Sequence, residues 1–173
     1  RERYAENLKR ELPRIPLVAG ASAFQRCAEI GQRLMALHLG YETQPEYALR
    51  WVEHPEGSPD HRVTFHVRKM KLSADRAALA VNETLTLEGI PSACFDYRLG
   101  NRSALEWVID QYQISEDKRS GITSDPNRAD DPQYIVRLVG QVVTVSMQTV
   151  ALVAALAAEV ALPEPVAVPV AAE

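Results

Sequence analysis

Cysteine is scarce in this chain, which has only Cys27 and Cys94 among its 173 residues. Two cysteines are too few for the disulfide framework of a small secreted domain, and their spacing does not match a metal site. A free cysteine among apolar neighbours is usually buried and inert. The sequence therefore predicts a reducing, cytoplasmic setting in which neither thiol is a nucleophile.

Catalytic signatures are also absent. The chain has no G-x-G-x-x-G, P-loop, H-E-x-x-H or G-x-S-x-G motif, and its four histidines lack ligand spacing. Asp131-Pro-Gln-Tyr134 is similar to the D-P-P-Y motif of amino-methyltransferases. However, Asp131 as a helix N-cap followed by Pro132 at the first helical position explains the same residues. We therefore expect no catalytic residue and no metal site in this chain.

Positive charge is not in excess, because 19 lysines and arginines face 23 acidic residues and the net charge is −4. This balance excludes a histone-like polycation. The sequence has no signal peptide, and it begins at Arg1 inside a helical pattern. These features predict an excised or processed piece of a longer chain.

One uncharged stretch, Leu138–Ala158, is long enough to cross a bilayer. Polar residues line one stripe of it at helical spacing, namely Arg137, Gln141, Thr144 and Gln148. Such a stripe is typical of a long helix that is mostly buried in its own domain and has one solvent-exposed edge. We expect no membrane partner.

Apolar periodicity predicts helices first, then three neighbouring strands, then helices again. The expected elements are a helix over Arg1–Leu12, a helix over Ser22–Leu39, strands over Tyr47–Glu53, Arg62–Leu72 and Ala78–Glu88, a helix over 103–113 and a long final helix. This order predicts an α+β fold, a small antiparallel three-stranded meander covered by helices. Residues 1–160 would form a single domain, and residues 161–173 a disordered tail rich in Pro, Ala and Val.

Local signals refine two of these boundaries and the course of one strand. Ser22 and Gln25 have the spacing of a capping box, and Gly40 stands where a left-handed helix C-cap is expected. The apolar parity of the second strand changes before Met70, which predicts a bulge near Arg68–Lys69.

The stretch GNRSALEWVIDQYQ predicts a well-capped helix. Ser103 and Glu106 form an S-x-x-E capping box, and one apolar face follows at helical spacing: Leu105, Val108, Ile109 and Tyr112. Asn101 and Arg102 precede the positive end of the helix dipole, a place that suits an anion such as phosphate. Two interpretations remain open: an ordinary cap beside a polar loop, or two polar residues presented to a partner.

Basic residues are concentrated in His61–Lys71, which reads HRVTFHVRKMK and contains no acid. A basic strand can lie along a phosphate backbone, but lysines also protect solvated edge strands. The loop Ser115–Asp130 is polar and long, and loops of this length are usually functional or disordered. Asp125-Pro126 stiffens its backbone, so we expect Asn127 and Arg128 to point outward. The alternative is a plain connector.

Four segments carry a family resemblance: RERYAENLKRELPRIP, LHLGYE, GNRSALEWVIDQYQ and DKRSGITSDPN. They resemble the C-terminal end of type ISP restriction-modification enzymes, and the similarity runs from Arg1 to about Ala154. In that family a nuclease and a helicase-like ATPase precede an adenine-N6 DNA methyltransferase, and a target-recognition region closes the chain. The linker Leu17–Ala21 and the tail depart from the family pattern.

The resemblance implies that this chain helps select the duplex sequence methylated by an upstream domain. Its implied partners are double-stranded DNA and the upstream methyltransferase and helicase-like domains. S-adenosylmethionine, ATP and Mg²⁺ would be used by those domains, and no cofactor by this fragment. The alternative is a structural brace that packs on the recognition or methyltransferase domain without contacting DNA.

The resemblance supplies no motif for reading bases, so the expected DNA contacts follow from residue type and position. They are Arg62, Arg68, Lys69, Lys71, Asn101, Arg102, Lys118, Arg119, Ser120, Asn127 and Arg128.

Overall fold

The computed structural model describes residue 18 and residues 20–160. The expected helix over Arg1–Leu12 and the expected tail over 161–173 lie outside the described residues. Within them, three helices accompany short antiparallel strands. The helices are α1 (Ala21–Leu39), α2 (Ala104–Gln111) and α3 (Tyr134–Glu159), and the strands are β1 (Arg50–Glu53), β2 (Lys71–Leu72), β3 (Ala78–Ala80), β4 (Leu85–Glu88), β5 (Arg98–Leu99), β6 (Arg102–Ser103), β7 (Ser115–Glu116) and β8 (Thr123–Ser124).

The main sheet has four strands in the order β1-β4-β3-β2, and all its pairs are antiparallel. The combination of helices and antiparallel sheets agrees with the predicted fold, but the predicted three-stranded meander is not what forms. The segment predicted as a single strand, Ala78–Glu88, folds into the β3–β4 hairpin, with Leu79 opposite Leu87. Strand β1 pairs with the edge of β4 that faces away from β3, and Trp51 lies opposite Leu87.

The segment predicted as a strand over Arg62–Leu72 is also different. Only Lys71–Leu72 pairs within the sheet, as the edge strand β2, and residues 62–70 lie outside any strand. The predicted change of parity is present, because Val67 and Met70 are both buried while Arg68 and Lys69 between them are exposed.

The core lies between the main sheet, α2 and the first half of α3. Its fully buried side chains include Leu79, Leu85, Leu87, Leu105, Ile135, Leu138, Val139 and Val143. The predicted apolar face of α2 is confirmed, since Leu105 is buried and Val108, Ile109 and Tyr112 pack against the core. A second, smaller cluster joins Leu37 of α1 to α3.

Helix α1 forms as predicted, but its caps differ from the expected ones. It begins at Ala21 with Gly20 as N-cap and no side-chain cap, and Gln25 bonds Glu29 instead of closing a capping box. Gly40 has φ −102°, so the predicted left-handed cap is wrong. A Cβ at Gly40 would lie 3.2 Å from the Ala36 carbonyl oxygen, and this crowding favours glycine there.

Helix α3 is long and apolar enough to cross a membrane by length and composition, but 61% of its most apolar window is buried inside the protein. That burial is typical of a core helix. The prediction of a solvent-exposed edge is mostly wrong. Gln141 and Thr144 are buried, and the side-chain amide of Gln141 donates to the Glu42 carbonyl. Gln148 remains exposed.

The start of α3 also corrects a prediction. The helix begins at Tyr134, one residue after its N-cap Gln133, and no side chain caps it. Asp131 is therefore not the N-cap, and its carboxylate instead pairs with Arg137. This hydrogen bond, aided by the charge of Arg137, holds the pKa of Asp131 below its ordinary value.

Candidate nucleic-acid interface

The segment Arg62–Lys71, here named the basic strip, is held by side chains from other segments. The Asn82 side-chain amide donates to the carbonyls of Thr64 and His66, at 2.8 and 3.0 Å. The Thr84 hydroxyl accepts from the Thr64 amide at 2.9 Å and contacts its carbonyl oxygen at 3.1 Å. These polar side chains form the hydrogen bonds with the backbone of the strip that a neighbouring strand would otherwise form.

Asn127 holds the next residue of the strip. Its side-chain oxygen accepts from the Val67 amide, and its side-chain nitrogen donates to the Val67 carbonyl, both at 2.8 Å. The Ile114 amide donates to the Arg68 carbonyl at 3.0 Å. The prediction that Asn127 points outward is therefore wrong, because its amide is committed to the backbone of the strip.

This attachment leaves one face of the strip in solvent. Val63 and Phe65 pack against the core and Val67 is fully buried. The alternate residues are exposed: Arg62, Thr64, His66 and Arg68. Lys69 and Lys71 are exposed as well. On extended backbone, side chains two residues apart lie roughly 6.6 Å from each other. This distance is about twice the 3.4 Å that separates successive phosphates of one DNA strand along the helix axis.

The cations of the basic strip differ in their surroundings from five arginines elsewhere in the described residues. Several arginines are paired with carboxylates: Arg26 with Glu159, Arg50 with Glu88, Arg76 with Glu106, Arg102 with Asp110 and Arg137 with Asp131. Within the part of the chain that the structure describes, no carboxylate pairs with Arg62, Arg68, Lys69 or Lys71. Their charges are therefore available to an anion that approaches from solvent.

Lys69 lies between two open grooves. One has a volume of about 340 Å³ and is lined by Lys69, Arg102, Asp110 and Gln113, among others. The other, of about 480 Å³, is lined by Thr64, His66, Arg68 and Lys69 together with Asn82 and Glu83. The fold thus brings the strip close to Arg102, a predicted contact residue from a distant part of the sequence.

The capped helix start is as predicted. The Ser103 hydroxyl accepts from the Glu106 amide at 3.2 Å, and the Glu106 carboxylate accepts from the Ser103 amide at 2.7 Å. Burial alone would raise the pKa of Glu106, but the Ser103 hydrogen bonds and the nearby Arg76 outweigh it and lower that pKa. Because the Glu106 carboxylate already occupies the helix N-terminus, this position does not favour a second anion.

Asn101 and Arg102 belong to the β5–β6 hairpin that leads into α2. Gly100, with φ 73°, and Asn101 form its two-residue turn, and Asn101 is exposed. Arg102 pairs with Asp110 at 2.6 Å and lies over the Trp107 ring at 5.1 Å. Arg102 is half-buried, so DNA would meet a guanidinium that already has a carboxylate partner.

The predicted polar loop contains a small hairpin formed by β7 and β8. At its tip, Asp117 accepts from the Arg119 amide at 2.9 Å and from the Ser120 hydroxyl at 2.8 Å. These bonds lower the pKa of Asp117. Lys118 and Arg119 are exposed at the tip, whereas the hydroxyl of Ser120 is used within the turn.

Arg128 follows Asn127 but serves a different contact. Its guanidinium lies 3.3 Å from the centre of the Tyr134 ring, a cation–π arrangement. Arg128 as a whole remains exposed.

Asn82 and Thr84 are the site residues that the sequence analysis missed. The periodicity predicts a continuous strand over these two residues, where an Asn would be unusual. The signal was Asn82-Glu83, which interrupts the alternation of Val81 and Leu85 and marks the turn of the β3–β4 hairpin.

No group of His, Cys, Asp or Glu suited to a metal ion is present in the described residues. Cys94 is buried, and burial raises the pKa of its thiol to about 11, which fits the predicted inert thiol. Cys27 is only partly buried.

A family model described as the Type ISP C-terminal specificity domain matches residues 1–138. No curated protein matches the chain. Among solved structures, the ATP-dependent Type ISP restriction-modification enzyme LlaBIII bound to DNA is 36% identical with a TM-score of 0.76, over 90% of this chain and 10% of that chain.

Two further DNA complexes are similar. A nuclease-deletion mutant of the Type ISP restriction-modification enzyme LlaGI with a DNA substrate mimic is 40% identical with a TM-score of 0.75, over 95% of this chain and 12% of that one. The DrdV–DNA complex is 35% identical with a TM-score of 0.72, over 89% of this chain and 16% of that one. The chain thus spans 10–16% of the length of these three structures' chains.

Proposed function

Because the chain belongs to the Type ISP C-terminal specificity domain family, we propose that it contacts double-stranded DNA and helps select the duplex sequence on which a larger restriction-modification enzyme acts. The observation that carries this proposal is the basic strip, whose exposed cations have no carboxylate partner among the described residues. The DNA complexes of LlaBIII and LlaGI support it as relatives with the same fold.

In this proposal the strip makes the phosphate contacts. Arg62, Arg68, Lys69 and Lys71 fix the position of the duplex without reading its sequence, as phosphate contacts do. Base reading then falls to exposed side chains on hairpin turns, namely Asn101 and the tip residues Lys118 and Arg119. Lysine and arginine pair with guanine edges and asparagine with adenine in the major groove.

The wider enzyme extends the proposal beyond this chain. An upstream domain would methylate adenine at N6 with S-adenosylmethionine, after flipping the base out of the duplex. A helicase-like domain would use ATP and Mg²⁺. This chain would supply no cofactor ligand and would work in the cytoplasm as one part of that polypeptide.

A second candidate function is a structural brace that packs on a neighbouring domain and does not contact DNA. One observation favours it. Helix α1 exposes Phe24, Met35 and Leu39, with 66%, 63% and 84% of their surfaces accessible, and such side chains are often covered by a partner.

Selection from a pool of random-sequence duplexes separates the two functions. The 173-residue chain is incubated with the pool at low salt, and bound duplexes are sequenced over several rounds. The proposal predicts enrichment of a short motif, and Lys118→Ala is expected to change or weaken that motif. No retained DNA in any round would favour the brace, and retained DNA without an enriched motif would contradict sequence selection by this chain.

A further inference from the structure

We infer that Asn82 and Asn127 are positioning residues for DNA contact, because their amides hold the strip so that Arg68 and Lys69 project together into solvent. This inference rests on the proposed function and assigns a role to two residues that would not touch DNA themselves.

Asn127 acts as one residue of a missing partner strand. In an antiparallel pair, two opposed residues exchange both N–H···O bonds, and the Asn127 side chain makes the same two bonds with Val67. Only an amide side chain offers a donor and an acceptor in this arrangement. Asp125 fixes the amide in turn, because it accepts from the Asn127 side chain at 2.7 Å and from its backbone amide at 2.9 Å.

Asn82 holds the preceding residues from the hairpin turn. Its nitrogen reaches the carbonyls of Thr64 and His66, while its oxygen accepts from the Thr84 amide at 2.8 Å and from the Thr84 hydroxyl at 2.9 Å. Both polar ends of this amide are therefore used. The two asparagines together fix the backbone from residue 64 to residue 67, and Ile114 continues the attachment at Arg68.

The attachment of the strip explains why two adjacent cations, Arg68 and Lys69, are both exposed. On a regular strand, successive side chains point to opposite faces, so Arg68 and Lys69 would not both face solvent. Here Val67 and Met70 are buried on either side of them, and both cations are exposed. The Asn127 and Ile114 bonds lie at Val67 and Arg68, where the alternation breaks. Asn127 therefore stabilises the backbone that places two positive charges side by side.

The test is a double-mutant cycle on DNA binding by the 173-residue chain. Affinity for a labelled duplex is measured across a series of salt concentrations for wild type, Asn127→Ala, Arg68→Ala/Lys69→Ala and the triple variant. We expect Asn127→Ala to reduce the slope of log K against log salt by up to about 2, because each lost phosphate contact removes about 0.9. In the background without Arg68 and Lys69, Asn127→Ala should change the affinity less than about twofold.

Gln141→Ala is the matched control. It also removes a bond from a side-chain amide to a backbone carbonyl, but that carbonyl belongs to Glu42, which lies outside the strip. It should leave the salt slope unchanged. Asn127→Gln keeps an uncharged amide but displaces it by one methylene from Val67, so it gives the same comparison should the alanine variant fail to fold.

Different results would contradict the positioning role of the asparagines and the proposed DNA contact. Additive losses in the cycle, or an unchanged salt slope in a folded Asn127 variant, would overturn the positioning role while the DNA contact stands. If wild type does not bind duplex at low salt, the proposed function itself is contradicted.

Discussion

At the scale of single residues, the environment of a side chain decides its role more than its type does. Arg76 pairs with Glu106 at 2.6 Å and lies 3.9 Å from the centre of the Phe95 ring, so this arginine links the main sheet to α2. Arg68 has no such partner among the described residues and is exposed. The same contrast separates two asparagines, since Asn101 is exposed in a turn while Asn127 is bonded to the strip. Residues of the same type are therefore held within the fold at one position and exposed to solvent at another.

Ser103 provides a residue-scale prediction. Ser103 is fully buried, its hydroxyl accepts from the Glu106 amide, and its backbone amide donates to the Glu106 carboxylate. We expect Ser103→Ala to lower the free energy of unfolding by about 1 kcal/mol, because an orphan amide at the helix start loses its acceptor. The denaturant midpoint measures this loss. Ser92→Ala, at an exposed serine in a 3-10 turn without a side-chain cap, serves as control, and equal midpoints for the two variants would contradict the role of the cap.

At the scale of elements, α2 connects the core to the candidate interface. Its inner face carries Leu105, and its N-terminus follows the hairpin that presents Asn101 and Arg102. The Glu106 carboxylate caps the helix and also pairs with Arg76, so one charge stabilises two contacts. The stability of α2 should therefore depend on the ionisation of Glu106.

This dependence predicts a pH effect. The pKa of Glu106 is lower in the folded state, so its charge contributes stability above the unfolded pKa of about 4.3, and that contribution is lost as pH falls through the folded pKa. Glu106→Gln should therefore be less stable than wild type at pH 7, and the difference should shrink below about pH 4.3. Urea unfolding between pH 7 and pH 3 measures it. A difference that stays constant over this range would show that the charge of Glu106 does not stabilise the helix.

Some elements governed by local contacts could be predicted from the sequence, although the local caps expected at Ser22, Gly40 and Asp131 did not form. Elements governed by distant contacts could not be predicted. The capping box at Ser103 and the apolar face of α2 depend on residues within one or two helical turns, and both were found. The strip looks like a strand because Val63, Phe65 and Val67 alternate, yet its partners are Asn82 and Asn127, which lie far away in sequence. Alternation predicts which side chains are buried, but it does not identify the groups that satisfy the backbone.

The candidate site divides in the same way. Exposure of the cations from Arg62 to Lys71 followed from the pattern of charge and parity. The direction of Asn127 did not, because an amide in a polar loop can face either solvent or backbone. The closeness of Lys69 and Arg102 at one groove also required the fold, since 32 residues separate them.

At the scale of the whole molecule, charge is unevenly distributed. The chain has a net charge of −4, yet the basic strip contains no acid and several other arginines are neutralised by carboxylates. A local positive surface on a protein of negative net charge is expected to orient that protein on DNA, because phosphate is attracted there and repelled by acidic surface. This arrangement also predicts that binding is weak without the other domains of a longer enzyme and strongly dependent on salt.

The salt dependence of duplex binding tests the central claim most directly. The affinity of the 173-residue chain for a labelled duplex is measured from low to moderate salt, beside a variant with Arg62, Arg68, Lys69 and Lys71 all changed to alanine. Arg33→Ala, at an exposed arginine of α1, is the control for loss of charge. The account predicts that log K falls with log salt, with a slope reduced by about 3 to 4 in the strip variant and nearly unchanged in the control. Equal slopes for wild type and the strip variant would contradict a DNA contact through the basic strip.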